Sequence, residues 1–247
     1  RKLGIKTSKR DELLAQIIAD KNLKLIAVAG THGKTTTTSM LVWAMEQLQI
    51  PVSYSVGSTL SFGPSGTFDK NSQFFVYECD EFDRNFLHFS PEISLITSVD
   101  YDHPDTYPTK ESYLDAFREF GEKSKKVIAW QENSAIFDEK NLTILHDSNK
   151  NITLSGEHNR KNATLVIEAL KHMGVDAEEL EIYQAINSFP GSGRRFEKLA
   201  ENLYSDYGHH PVEIQATLQM AKELSNDVAL VYQPHQNVRQ HEIIGQY

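Results

Sequence analysis

The sequence predicts an α/β fold in which a mostly parallel sheet carries helices on both faces, followed by the start of a second α/β unit. Three observations support this prediction. Short apolar stretches of strand length alternate with stretches of helical periodicity. A glycine-containing segment joins the first strand to the first long helix, and a new strand and helix follow a glycine-rich break at residues 191–193.

The first predicted strand, residues 23–29, is followed by Gly-Thr-His-Gly-Lys-Thr-Thr-Thr-Thr at residues 30–38 and then by apolar residues at helical spacing. Two glycines let backbone N–H groups turn toward an anion, and Lys34 adds a solvent-facing positive charge at the helix N-terminus. Thr35 can offer its hydroxyl to a metal ion that accompanies phosphates. The segment therefore predicts a phosphate-binding loop, although Val28 stands where the common P-loop pattern has its first glycine.

The later elements follow the same alternation. Strands are predicted at residues 74–78, 93–99 and 127–130, and helices at residues 110–120, 160–173 and 177–188. The chain then restarts with a strand at 203–205, a helix at 211–224 and a strand at 228–232. This order predicts one β-α-β unit of a new domain.

Composition excludes several classes of protein. The net charge of −9 argues against a nucleic-acid surface, which needs clustered Lys and Arg. No apolar run approaches the roughly 20 residues of a membrane span, and no signal-peptide pattern is present, so a cytoplasmic location is expected. Cys79 is the single cysteine, which excludes an internal disulfide framework; we expect it to be a small buried side chain.

Seven segments resemble, in order, motifs of the Mur ligases, the ATP-dependent enzymes that form amide bonds in peptidoglycan precursor synthesis. The first is the loop itself, with its Gly-Thr-x-Gly-Lys-Thr-Thr-Thr pattern. The others are residues 78–83 (Glu-Cys-Asp-Glu-Phe-Asp), 97–105 (Thr-Ser-Val-Asp-Tyr-Asp-His-Pro-Asp), 156–163 (Gly-Glu-His-Asn-Arg-Lys-Asn-Ala), 193–197 (Gly-Arg-Arg-Phe-Glu), 206–211 (Asp-Tyr-Gly-His-His-Pro) and 233–235 (Gln-Pro-His).

The resemblance implies three divisions of the chain. Residues 1–22 would be the tail of an N-terminal domain that binds a UDP-sugar, residues 23–197 the central ATP-binding domain, and residues 198–247 part of a Rossmann-like C-terminal domain. Because the family's first and last domains would then be incomplete, we expect the 247-residue chain alone to bind ATP weakly and to form no amide bond.

Among Mur ligases, the motifs at 206–211 and 233–235 most resemble members that join L-alanine to the lactyl carboxylate of UDP-N-acetylmuramate; the alternative is the ligase that recycles murein peptides. The implied reaction phosphorylates the carboxylate with ATP, and an amino group then attacks the acyl phosphate. Residues 236–239 read Gln-Asn-Val-Arg where the alanine-adding members carry Arg-Tyr-Ser/Thr-Arg, so the amino acid stays open.

The resemblance also assigns roles to charged residues. Lys34 would hold the β- and γ-phosphates, and Thr35 with Glu78 would bind one Mg²⁺, since a carboxylate at the C-terminal end of a strand lies opposite such a loop. His103 would bind a second Mg²⁺. Many Mur ligases have a carbamylated lysine fifteen positions after this histidine, but the count here reaches Arg118, which cannot form a carbamate.

The remaining implied contacts concern the nucleotide. Gly30, Thr31, His32, Gly33 and Thr36 would complete the loop. His158, Asn159 and Asn162 would contact adenine, although His158 and Asn159 have an alternative explanation as residues that cap a helix. Either Arg194 or Arg195 would reach the nucleotide, with Arg194 preferred; Asp206 would bind a ribose hydroxyl, and His209 would lie near the phosphates or the amine.

Two readings from other classes stay open. A nonenzymatic ATP-binding module is favoured by the incomplete ends and by Ser98 and Arg118, which depart from the family pattern. An ordinary P-loop phosphotransferase is disfavoured by the missing first glycine.

Overall fold

The computed structural model describes residues 7–234 and confirms the predicted α/β class. Its main sheet has seven strands in the order β3-β2-β4-β1-β5-β6-β7. All neighbouring strands are parallel except β2 and β3. The strands are β1 (Lys24–Ala29), β2 (Ser53–Ser55), β3 (Gly66–Thr67), β4 (Phe74–Glu78), β5 (Ile93–Ile96), β6 (Lys126–Trp130) and β7 (Leu142–Leu145).

Helices cover both faces of this sheet, as predicted. They are α1 (Arg10–Asp20), α2 (Lys34–Gln47), α3 (Lys110–Lys123), α4 (Gln131–Ser134), α5 (Glu157–His172), α6 (Glu179–Asn187) and α7 (Pro211–Leu224), with 3₁₀ segments at Phe82–His88 and Glu139–Asn141. Alternate residues of β1 enter opposite cores: Ile26 and Val28 pack with α2, α5 and α6, whereas Leu25, Ala27 and Ala29 pack with α1 and α3. A strand buried on both faces needs a continuous apolar run, and such a run in the sequence predicted β1.

The C-terminal part differs from the prediction. Strand β9 (Leu203–Ser205) pairs antiparallel with β8 (Glu197–Ala200), so it forms a hairpin rather than the first strand of a β-α-β unit. Residues 228–232 form no strand, and Val231 is 96% exposed. Within residues 7–234 no strand lies beside them to supply ladder hydrogen bonds, and an isolated extended segment is not stable as a strand.

Helix α7 is held against α5 by polar contacts. The Arg160 guanidinium donates to both carboxylate oxygens of Glu223, at 3.1 and 2.9 Å, and the Gly156 N–H donates to the same carboxylate at 2.8 Å. The start of α5 and the end of α7 are therefore joined. Among the helices of the described residues, none combines the length and the apolar character needed to cross a membrane.

Candidate active site

The loop between β1 and α2 turns at two glycines. Gly30 has a φ of 136° and Gly33 a φ of 84°, where residues with side chains are strained. A Cβ atom on Gly30 would lie 2.2 Å from the Thr97 hydroxyl oxygen and 2.7 Å from the Ser98 carbonyl oxygen. The loop backbone therefore passes too close to the segment after β5 for any side chain at residue 30.

The segment after β5 supports the loop. The Thr31 N–H donates to the Ser98 carbonyl and the His32 N–H to the Ser98 hydroxyl, both at 3.0 Å. The Thr31 hydroxyl donates to the Asp100 carbonyl at 2.8 Å and lies 2.8 Å from the Tyr113 hydroxyl. These contacts fix the loop conformation from two other elements of the fold.

Lys34 was predicted to face solvent, and this prediction is wrong. Its ammonium donates to the Gly30 carbonyl at 2.6 Å and to the Glu81 carboxylate at 2.7 Å, and Glu81 is only 1% exposed. Burial lowers the pKa of Lys34, but the negative charges of Glu81 and Asp80 outweigh burial and raise it. The ammonium is therefore charged at neutral pH, inside an ion pair that joins the loop to the segment after β4.

Glu78 ends β4 beside the loop. The Thr35 hydroxyl donates to one Glu78 carboxylate oxygen at 2.8 Å, and the Gly57 N–H donates to the other at 2.7 Å. A hydroxyl and a carboxylate, the oxygen donors that Mg²⁺ prefers, thus lie side by side. Thr35 and Glu78 fit a magnesium site, and their ligand roles stay a prediction.

A second group of potential metal ligands lies next to Lys34. Asp80, Glu81 and His103 each offer one ligand atom, and these atoms lie within 4.8 Å of one another. The His103 Nε2 atom is 3.7 Å from a Glu81 carboxylate oxygen. His103 was predicted from the sequence to bind a second cation, and in the structure the carboxylates of Asp80 and Glu81 lie beside it. This donor set fits a divalent cation better than a lone imidazole does.

A cavity of about 560 Å³, which we call the first cavity, opens from Gly33, Thr35 and Thr36. The predicted nucleoside residues line it: His158, Asn159, Asn162 and Asp206. Its wall also contains the apolar side chains of Leu154, Phe189, Val212 and Met220. A cavity that combines apolar side chains with amide, hydroxyl and charged groups, beside the predicted phosphate-binding loop, fits a nucleoside site.

Two buried polar atoms in the first cavity could form hydrogen bonds with a ligand. Burial lowers the pKa of His158, so its imidazole is neutral at pH 7. The His158 Nδ1 atom and the Ser192 hydroxyl are buried and have no hydrogen-bond partner among residues 7–234. Because buried polar atoms are nearly always hydrogen-bonded, these two atoms fit contacts with a bound nucleoside.

Two of the residues predicted to contact the nucleoside, Asn159 and Asp206, also form hydrogen bonds with the backbone of nearby segments. The Asn159 side-chain amide donates to the Ser155 carbonyl at 2.9 Å, just before α5, whereas the cap position of α5 is Gly156, where no side chain caps the helix, so the capping alternative is wrong. The Asp206 carboxylate accepts from the Phe196 N–H at 2.8 Å and the Gly208 N–H at 2.6 Å. Their contacts with adenine and ribose stay predictions.

A second cavity, of about 410 Å³, shares His32, Gly33 and Thr35 with the first. Charged and imidazole side chains dominate its lining, among them Lys34, Glu78, Asp80, Asp102, His103 and His209. The structure thus brings the predicted catalytic residues Lys34, Glu78, His103 and His209 into one cavity.

Glu213 lines both cavities and was not predicted. Its carboxylate accepts from the N–H groups of His209 and His210, at 3.0 and 3.3 Å, and lies 3.5 Å from His32 Nδ1 and 3.4 Å from Arg195 Nη1. Burial would raise the pKa of Glu213, but His32 and Arg195 outweigh it and hold the pKa well below the usual range. The sequence did contain a signal for Glu213: it lies three residues after His210, which caps α7, and this spacing is typical of a capping box.

Arg118, Arg194 and Arg195 differ in their position relative to the two cavities. Arg195 lines both cavities, whereas the Arg194 guanidinium lies over the Tyr207 ring, 4.4 Å from its centroid, and lines neither. Arg118 pairs with Asp115 and lies 3.7 Å from Glu111, both on its own helix α3. The choice of Arg194 as the nucleotide-binding arginine stays a prediction that this geometry does not favour.

His235 and residues 236–239 lie outside the described residues.

Comparison with known proteins agrees with this geometry. Residues 28–142 match the Mur ligase middle domain. A UDP-N-acetylmuramate–L-alanine ligase from Caldicellulosiruptor saccharolyticus is 31% identical over 95% of this chain and 60% of its own length. One from Desulfitobacterium hafniense is 30% identical, over 100% of this chain and 63% of its own length.

The chain belongs to the Mur ligase family. It spans about 60% of the length of the curated relatives it matches. A crystal structure of UDP-N-acetylmuramate–alanine ligase from Thermotoga maritima aligns with a TM-score of 0.73 and 25% identity, over 88% of this chain and 58% of that chain. A murein peptide ligase from Psychrobacter arcticus shares the fold, with a TM-score of 0.69 and 23% identity over 96% of this chain and 62% of that chain.

The residues that sequence reasoning missed in this Mur ligase chain share one property. Glu81, Glu213 and Ser192 gain their importance from partners distant in the sequence or from burial in a cavity, as the 47-residue separation of Lys34 and Glu81 shows. The sequence motif at residues 78–83 contains Glu81, but Glu78 was preferred as the metal ligand and Asp80 or Glu81 was only the alternative.

Proposed function

We propose that the protein is an ATP-dependent ligase that joins an amino acid, L-alanine, to the lactyl carboxylate of UDP-N-acetylmuramate, forming ADP and phosphate. The observation that carries this proposal is the meeting of two different cavities at one phosphate-binding loop. The first cavity has the lining of a nucleoside site, and the second has the charged lining that phosphoryl transfer needs.

The reaction has two balanced steps. A carboxylate oxygen attacks the γ-phosphorus of ATP, the bond from that phosphorus to the bridging oxygen breaks, and ADP leaves with the electron pair. The amino nitrogen then attacks the acyl carbon, the bond to the phosphate oxygen breaks, and the amine loses a proton. Charge that spreads over the transferring oxygens makes electrostatic stabilisation the main requirement.

The loop meets this requirement with its own groups. Lys34 sits at the start of α2, where its charge adds to the backbone N–H groups and the helix dipole. When phosphates bind, the Lys34 ammonium exchanges the Glu81 carboxylate for phosphate oxygens. Thr35 with Glu78 would hold one Mg²⁺, and His103 with Asp80 and Glu81 a second divalent cation. Such cations neutralise charge on phosphate oxygens.

His209 would accept the proton of the amine. It lines the second cavity, and its Nδ1 atom lies 3.3 Å from the Tyr207 carbonyl and 3.6 Å from Glu213. A carbonyl and a carboxylate on one side of the ring would stabilise a proton on Nδ1 and leave Nε2 as the acceptor. We assign His209 the role of general base in the second step.

Product formation tests the proposal. The full-length protein is incubated with ATP, Mg²⁺, UDP-N-acetylmuramate and either a single amino acid or the tripeptide L-alanyl-γ-D-glutamyl-meso-diaminopimelate. Products are identified by mass spectrometry, and ADP release is measured. We expect conjugate formation with L-alanine, and ADP release that depends on both acceptor and amino acid.

Three results would contradict the proposal, and each identifies another function. Conjugation only with the tripeptide L-alanyl-γ-D-glutamyl-meso-diaminopimelate would indicate the recycling ligase. ADP release that needs neither acceptor nor amino acid would indicate a simple nucleotide hydrolase. ATP binding without turnover would indicate a nonenzymatic module.

A further inference from the structure

Arg10, at the first position of α1, contributes to the second cavity. Residues 1–22 were predicted to be the tail of another domain, yet Arg10 lines the same cavity as Lys34, Thr35 and Glu78. It lines the second cavity and not the first. A cation from α1 is therefore placed where the phosphoryl group would be transferred.

Two side chains hold the Arg10 guanidinium in place. Its Nη2 atom donates to the Tyr77 hydroxyl at 3.1 Å and lies 3.3 and 3.4 Å from the two carboxylate oxygens of Asp11. The Tyr77 hydroxyl in turn donates to Asp11, which is only 5% exposed. Tyr77 directly precedes Glu78 on β4, so the guanidinium is anchored to the strand that carries the candidate magnesium ligand.

Among residues 7–234, the contacts that anchor the guanidinium all use its Nη2 atom. An arginine also carries donors on Nη1 and Nε, and the Arg10 side chain, which lines the second cavity, is 75% exposed. The planar arrangement of these donors matches two oxygens of a carboxylate or phosphate.

The other cations of the second cavity have different tasks. Lys34 is bound to the loop and to Glu81, and Arg195 lines both cavities and pairs with Glu213, so both lie along the path of the ATP phosphates. An acceptor carboxylate must approach the γ-phosphate against like charge and needs a cation of its own. We propose that Arg10 binds the carboxylate of the phosphoryl acceptor, which is UDP-N-acetylmuramate under the proposed function, and that Tyr77 and Asp11 position the guanidinium for it.

This inference rests on the proposed ligase function. The shared chemistry of the ligand is an oxyanion, and a sugar nucleotide carries two kinds, its carboxylate and its diphosphate. The two are separable, because UDP-N-acetylglucosamine has the diphosphate and lacks the lactyl carboxylate.

The test uses Arg10→Ala and Arg10→Lys in the full-length protein. Calorimetry measures binding of UDP-N-acetylmuramate and of UDP-N-acetylglucosamine, and steady-state kinetics give KM for the acceptor and for ATP. For Arg10→Ala we expect about 10- to 100-fold weaker binding of UDP-N-acetylmuramate, since a charge-assisted pair is lost, with KM for ATP unchanged within about twofold. Arg10→Lys keeps the charge but not the paired donors, so its loss should be intermediate.

Tyr77→Phe tests the positioning role without removing the arginine. We expect a smaller loss of acceptor affinity, and no loss beyond that of Arg10→Ala when the two changes are combined. Lys21→Ala, at the other end of α1 and outside both cavities, is the charge-matched control and should bind both sugar nucleotides as the unchanged protein does.

Two results would overturn the assignment. Equal losses for both sugar nucleotides would place Arg10 at the diphosphate, and unchanged affinity in folded Arg10→Ala and Arg10→Lys proteins would remove it from the site. If the unchanged protein formed no conjugate at all, the proposed function would fail instead; the calorimetric binding measurements need no turnover and would still test the assignment of Arg10.

Discussion

The two cavities share a loop but differ in chemistry. Apolar side chains, side-chain amides and a neutral imidazole distinguish the first, which also contains charged side chains, Arg195 and Glu213 among them. The second contains Lys34 of the buried ion pair, several carboxylates and four histidines. Apolar and amide groups can select a nucleoside by shape without reacting, while charges can stabilise a transition state. Changes in the first cavity should therefore alter KM for ATP, and changes in the second should alter the turnover rate.

The largest effect is expected for Lys34→Ala. Turnover should fall by about 10³-fold or more, because the cation nearest the transferring phosphoryl group is lost, and Lys34→Arg should lose less. Removing the lysine also leaves Glu81 buried without its cation, at a cost of about 3 kcal/mol of folding stability. Thermal melting and steady-state kinetics measure the two losses separately.

A double variant separates the two roles of Lys34. Lys34→Ala combined with Glu81→Gln removes the unpaired charge, so it should recover much of the stability and none of the turnover. Turnover that survives in a folded Lys34→Ala protein would contradict the central role of the loop.

Glu78→Gln should reduce turnover by about 10²-fold and shift the magnesium titration to higher concentration. The amide keeps the shape of the side chain but loses the charge that would offset a metal ion. Titration of Mg²⁺ against turnover measures this. A wild-type magnesium curve would show that Glu78 serves only to hold Thr35 and Gly57 in place.

Asn162→Ala should act on the first cavity. We expect KM for ATP to rise about tenfold with kcat changed less than about threefold, as expected for a contact made equally in the ground and transition states. Asn71→Ala, in an exposed turn before β4, is the matched control. A fall in kcat larger than the rise in KM would break the proposed division between the cavities.

Glu213→Gln should weaken folding in a pH-dependent way. Because the folded-state pKa of Glu213 lies below the ordinary value of 4.5, its charge stabilises the fold above that value, and the stabilisation is lost as the pH falls toward the folded pKa. At pH 7 we expect a loss of about 1 kcal/mol, or roughly 2–4 °C in Tm, that shrinks below about pH 4.5. Melting curves from pH 7 to 3 measure it; a constant difference would contradict the assigned charge.

The smallest effect is expected for Arg118→Ala. Arg118 pairs with acids of its own helix, so turnover should change by less than about twofold. A large loss, measured in the same kinetic assay at saturating ATP, would place Arg118 among the groups that support the second cation.

The sequence was informative where the physical signal is local. The strand, loop and helix around Lys34 follow from an apolar run, two glycines and helical spacing, all within 25 residues of one another. The pairing of Lys34 with Glu81 could not be predicted, because it depends on β1 and β4 being neighbours in the sheet. Residues 228–232 show the opposite error, since apolar residues alone do not make a strand and no strand of residues 7–234 lies beside them.

The Lys34–Glu81 ion pair has a consequence for how ligands are taken up. Phosphates that draw Lys34 away leave a buried carboxylate uncompensated, and a divalent cation bound by Glu81, Asp80 and His103 would restore the balance. Binding of nucleotide and of metal would then be thermodynamically linked: each should bind more tightly when the other is present, by the same factor. The protein would then bind metal-free nucleotide more weakly than the metal complex, before any chemistry begins. The reason is that only a bound metal ion would compensate the buried carboxylate of Glu81.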